Sequence, residues 1–126
     1  MNYVELTEHE VGVCQELTER RERWCRENNA RNFKVDGASD YDISEIGLTG
    51  EYVAMKALGV GGFDAINLYS TNKEGDVLLP SGEWVEVKTT KRPRLNFLVE
   101  SQDTTFNAAY GALVWTMPKP RLYAVA

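Results

Sequence analysis

The side chains best suited to chemistry are Asp76, Glu86 and Lys88, with a fourth, Glu51, further upstream. Residues 75–90 read as two strands joined by a tight turn. Pro80-Ser81-Gly82 supplies the turn, and its flanks are rich in Val, Leu, Trp and Thr. With the turn centred near Ser81 and Gly82, Asp76 falls opposite or diagonal to Glu86, within reach of a shared ligand. Glu86 and Lys88 share one face of their strand, whereas Val85 and Val87 take the other and are expected to be buried. An acidic pair with a lysine beside it, on a stiff scaffold, is what holding a divalent cation next to a water molecule requires. The plainer reading is an exposed cross-strand charge ladder, which leaves Glu51 unexplained.

Glu51 belongs to a helix expected over 43–58, started by a capping box at Asp42 and Glu45 and stopped at Gly59. Ile43, Ile46, Val53, Ala54 and Ala57 form its buried stripe. Leu48, Met55 and Leu58 surround Glu51 at helical spacing, so its carboxylate sits on an apolar surface and needs a partner. Upstream, an amphipathic helix is expected over 5–28, with Val13, Leu17 and Trp24 on its stripe; Thr7 and Glu10 offer a capping box that would start it there. Its Arg20, Arg21, Arg23 and Arg26 interleave with Glu16, Glu19, Glu22 and Glu27, which reads as a solvated, salt-bridged face. The connector 29–41 is polar. Gly59-Val60-Gly61-Gly62 follows a helix and lacks the spacing of a phosphate loop, so it is a helix stop and turn. Beyond the hairpin, strands are expected over 95–99, 111–117 and 121–125, with at most one helical turn in 101–110.

The composition is ordinary for a globular protein, and 126 residues suffice for one domain with a hydrophobic core. No apolar run approaches the roughly 20 residues of a membrane span. The first residues lack the basic and apolar regions of a signal peptide, so a cytoplasmic protein with no membrane partner is expected. Cys14 and Cys25 lie about three helical turns apart, too far for a disulfide, and read as small apolar residues. His9 is the only histidine and has Glu-rich surroundings, which leaves histidine-based catalysis little to stand on. The net charge of −5 hides an asymmetry: residues 1–86 hold 8 Lys or Arg against 17 Asp or Glu, whereas residues 87–126 hold 6 against 2. That is compatible with a local phosphate-binding surface on an acidic protein.

Gly50-Glu51 on a helix, Asp76 on one strand and Glu86-Val87-Lys88 on the next together resemble the PD-(D/E)xK nuclease superfamily over roughly residues 43–125. The resemblance implies an α/β (α+β) fold with a restriction-endonuclease-like mixed sheet of about five strands flanked by helices. It implies that Asp76, Glu86 and the Val87 carbonyl bind a catalytic Mg2+ or Mn2+, that Lys88 orients or helps deprotonate the attacking water, and that Glu51 is the helix carboxylate some members use for a metal or its water. Thr89, Thr90, Lys91, Arg92 and Arg94 follow as phosphate contacts. Gly75 stands where a proline is common, and the helix after the third core strand is shortened. The implied activity is metal-dependent hydrolysis of DNA phosphodiester bonds, with a structure-specific endonuclease favoured. In size the chain is similar to small phage nucleases and archaeal Holliday-junction resolvases, which often act as dimers, so a homodimer is a possible assembly. The alternative is a non-catalytic nuclease-fold module that binds nucleic acid or protein.

Overall fold

A computed structural model describes residues 2–28, 40–62, 65–68, 75–90 and 110–126. The elements in chain order are β1 (Asn2–Glu5), α1 (Glu8–Glu27), α2 (Asp40–Ala57), β2 (Val77–Leu78), β3 (Trp84–Thr90), β4 (Tyr110–Thr116) and β5 (Leu122–Val125). The five strands form one mixed sheet in the order β1-β5-β4-β3-β2. Only the β3–β4 pair is parallel; the others are antiparallel. This is the mixed α/β class the sequence implies. Among the described residues no helix is long and apolar enough to cross a membrane.

The helix α1 starts where its chemistry dictates. The Thr7 hydroxyl accepts the Glu10 N–H at 3.1 Å, and the Glu10 carboxylate accepts the Thr7 N–H at 3.0 Å, a complete capping box. Residues Asn2–Glu5, of which only Glu5 falls within the expected helix, form β1 on the edge of the sheet. Only Val4 of that strand is buried, so its pattern carries too little alternation to reveal a strand. The helix α2 begins at Asp40, before the expected cap at Asp42. It ends in a Schellman motif, with Val60 N–H donating to the Met55 carbonyl and Gly59 N–H to that of Lys56.

The core joins both helices to one face of the sheet. Leu48, Val53, Ala54 and Met55 of α2 and Cys14 and Leu17 of α1 pack with Val77, Val85, Val87, Ala112, Val114 and Val125. Leu113, Trp115 and Ala124 form a second cluster with Met117, and strand alternation puts them on the opposite face. Leu58, expected beside Glu51, is instead exposed at the end of its helix. The connector 29–39 and the strand expected over 95–99 lie outside the described residues.

Candidate active site

The site is built around Asp76, whose position follows from the way β2 begins. Its N–H donates to the Val85 carbonyl at 2.9 Å, and its Oδ2 accepts the Val87 N–H at 2.8 Å. The side chain therefore continues the hydrogen-bond ladder of β3 past the start of β2. The pairs Val77↔Val85 and Leu78↔Trp84, extended by one step, put Asp76 opposite Glu86. Gly75 approaches this point with φ 148°, and a Cβ there would lie 2.6 Å from Trp84 Cβ. A proline, with φ fixed at about −65°, cannot take this place. Asn67 braces the same corner: its N–H donates to the Asp76 carbonyl at 3.0 Å and its side-chain amide to the Gly75 carbonyl at 3.1 Å.

Glu51 reaches Asp76 from the helix side. At Gly50 the helix lies so close to β3 that a Cβ would fall 1.7 Å from the Thr89 hydroxyl oxygen. This close approach carries the next residue, Glu51, over the strand edge, and its carboxylate meets that of Asp76. Glu86 meets Asp76 as well. It alternates with the buried Val85 and Val87 and so comes from the other face of the strand. The three carboxylates are thus neighbours beside β3. Lys88 Nζ lies 3.3 Å from Glu86 Oε1.

Arg21 closes the other end of this chain of charges. Its Nη1 donates to Glu51 Oε2 at 2.8 Å and its Nη2 to the Asn67 carbonyl at 2.8 Å. Sequence reasoning missed this residue and placed it on a solvated face. Arg20 does behave that way, pairing in the open with Glu16. Arg21, however, stands four residues after the buried Leu17 and seven after the buried Cys14, on the stripe that faces α2. The signal was available: a cation on the apolar stripe of one helix, and a carboxylate in need of a partner on the apolar stripe of the next.

The electrostatics follow from crowding. Burial, then the charge of Glu51 and a hydrogen bond with it, push the Asp76 carboxyl up to about 7, against the pull of Val87 N–H and Glu86. Burial and the charge of Asp76 push Glu86 up to about 7 as well, with Lys88 opposing. Among the described residues no group of three or more His, Cys, Asp or Glu side chains is arranged to hold a metal ion. A cation here would therefore rest on the Asp76 and Glu86 carboxylates, completed by main-chain and solvent oxygens. Mg2+ binds in that manner, through one or two carboxylates plus water and phosphate, so the donor set fits the ion that the resemblance implies.

Of the expected phosphate contacts, Thr89 is turned the other way. Its hydroxyl is buried against Gly50 with no hydrogen-bond partner, so it serves helix–strand packing. Thr90 alternates with Thr89 and shares the side of Glu86 and Lys88. Lys91, Arg92 and Arg94 lie outside the described residues. His9 is exposed, and Cys14 is buried, its thiol pushed up to about 12 by burial. No protein-family model, curated protein or solved structure matches this chain.

Proposed function

We propose that the protein is a metal-dependent nuclease of the PD-(D/E)xK type, with a restriction-endonuclease-like core, that hydrolyses DNA phosphodiester bonds. One observation carries the reading: Glu51, Asp76 and Glu86 are neighbours beside β3, with Lys88 on the outer carboxylate. Clustered carboxylates that resist ionisation are costly unless a cation relieves them, and their cost marks a functional site. Asp76 and Glu86, with the Val87 carbonyl, would hold Mg2+ or Mn2+. Such an ion, when bound, lowers the pKa of a water and offsets charge on the phosphate.

The remaining work falls to the chain itself. Asp76 is held by the Val87 N–H and by the corner that Asn67 braces, so its free oxygen faces the site in one orientation. Lys88 stands beside Glu86, where its ammonium group orients the attacking water and offsets charge gathering on the phosphoryl oxygens. The water adds to phosphorus in line with the leaving sugar oxygen, one P–O bond forming as the other breaks, while the attacking water gives up a proton to solvent and the leaving oxygen takes one from it.

The test is a panel of supercoiled, linear, single-stranded and four-way-junction DNA, each with and without Mg2+ or Mn2+. Metal-dependent cutting of at least one form is expected, abolished by Asp76→Ala. Equal cutting by wild type and Asp76→Ala refutes the assignment. Folded protein that binds DNA without cutting it selects the non-catalytic module.

A further inference from the structure

The Arg21–Glu51 pair sets a condition on how many metal ions the site takes. The guanidinium fork is spent on two acceptors, Glu51 Oε2 and the Asn67 carbonyl, both at 2.8 Å. The side chains of Arg21 and Glu51 are 17% and 7% exposed. A metal that took Glu51 through Oε2 would have to break this pair and leave a part-buried guanidinium short of a partner, which arginine cannot escape by losing its proton. The Glu51 carboxylate is already engaged with Asp76 as well. Charge counting points the same way. With every group charged, Glu51, Asp76 and Glu86 face Arg21 and Lys88, a net charge of −1. One divalent ion brings the cluster to about +1, which a phosphate diester neutralises, whereas two bring it to about +3.

Resting on the nuclease reading above, we propose that Arg21 is a positioning residue that withholds Glu51 from the metal ligands and stands in for a second divalent ion. The site then takes a single Mg2+ or Mn2+, on Asp76 and Glu86. Arg21 acts through two neighbours. It fixes Glu51, which abuts Asp76, and it fixes Asn67, whose amide and N–H brace Gly75 and Asp76. The device comes from α1, outside the span over which the resemblance runs.

The experiment is Mn2+ titration calorimetry, paired with electron paramagnetic resonance of the bound Mn2+. Wild type and Arg21→Lys, which keeps the cation, are expected to bind one ion with a mononuclear signal. Arg21→Gln frees Glu51 and is expected to bind two ions with an exchange-coupled signal. The double variant Arg21→Gln/Glu51→Gln is expected to return to one. Two ions on wild type, or one ion on folded Arg21→Gln, overturns the proposal. Should Arg21→Gln fail to fold, the wild-type stoichiometry alone decides. No Mn2+ bound by folded wild type overturns this proposal together with the metal-site reading. One ion bound without cleavage of any DNA sinks the nuclease reading and leaves the role of Arg21 standing.

Discussion

Asp76→Asn is expected to remove the metal-dependent activity and, in the metal-free protein, to raise stability. The native carboxyls of Asp76 and Glu86 titrate near 7, well above their ordinary values of 3.8 and 4.5. Between about pH 4 and pH 7 the folded chain therefore holds protons that the unfolded chain has released. Since the slope of unfolding free energy with pH follows protons bound unfolded minus protons bound folded, it is negative here. Stability falls as pH rises through this window and levels off above about pH 7. At about 1.36 kcal/mol per unit, the shift of Asp76 alone corresponds to about 4 kcal/mol. The shift of Glu86 arises partly from the same repulsion, so the two do not add, and a total fall of about 2–5 kcal/mol is expected. Asparagine keeps an oxygen for the Val87 N–H and loses only the charge. In EDTA at pH 8, Asp76→Asn is expected to exceed wild type by about 1–3 kcal/mol in urea denaturation, with the difference vanishing near pH 4.5. Glu10 does not confuse the measurement. Burial pushes its carboxyl up, but Lys56, Thr7 and Tyr52 together outweigh it and hold it at about 2. Its contribution is present above pH 4.5 and is lost only as pH falls toward 2. Mn2+ at a hundredfold excess over its Kd should restore about 2.7 kcal/mol to wild type at pH 8 and nothing to the variant. Wild-type stability that rises between pH 5 and 7, or an Asp76→Asn protein less stable than wild type at pH 8, would refute this account of the site.

Two further substitutions separate packing from chemistry. Gly50→Ala places a methyl group 1.7 Å from the Thr89 hydroxyl oxygen, so α2 must lift from β3; a loss of about 1–3 kcal/mol is expected, visible as a lowered Tm, with part of it recovered by adding Thr89→Ala. Lys88→Met should leave the fold and one bound Mn2+ in place while cutting drops by roughly 10²–10⁴-fold, and a drop in metal binding as large as the drop in rate would instead make Lys88 a support for Glu86.

The hairpin was legible in the sequence because its signals are local. Pro80-Ser81-Gly82 marks the turn, alternation marks the buried Val85 and Val87, and the register that follows sets Asp76 opposite Glu86. The capping box of α1 was legible for the same reason, its partners being three residues apart. What stayed hidden depends on contacts between distant parts of the chain. β1 is a strand only because β5 offers it an edge, and its one buried residue, Val4, leaves no pattern to read. Thr89 read as a phosphate contact because threonine follows the lysine; its direction is fixed by the approach of Gly50, which no local rule supplies.

The role of α1 shows why a motif confined to the later part of the chain describes this site incompletely. Glu51 is nearly buried and abuts Asp76, and two carboxylates so placed repel each other in a poorly solvated setting. The counter-charge for Asp76 and Glu86 is the proposed metal, with Lys88 at the outer end. No such ion is needed for Glu51, because Arg21 reaches it from α1 and ties the same fork to Asn67 at the base of Asp76. A core lacking α1 would retain all four motif residues and yet leave Glu51 buried without its cation, a defect that typically costs about 3–5 kcal/mol when one partner of a buried pair is removed. The N-terminal helix is therefore part of the scaffold of the proposed site, because it supplies the cation that pairs with Glu51.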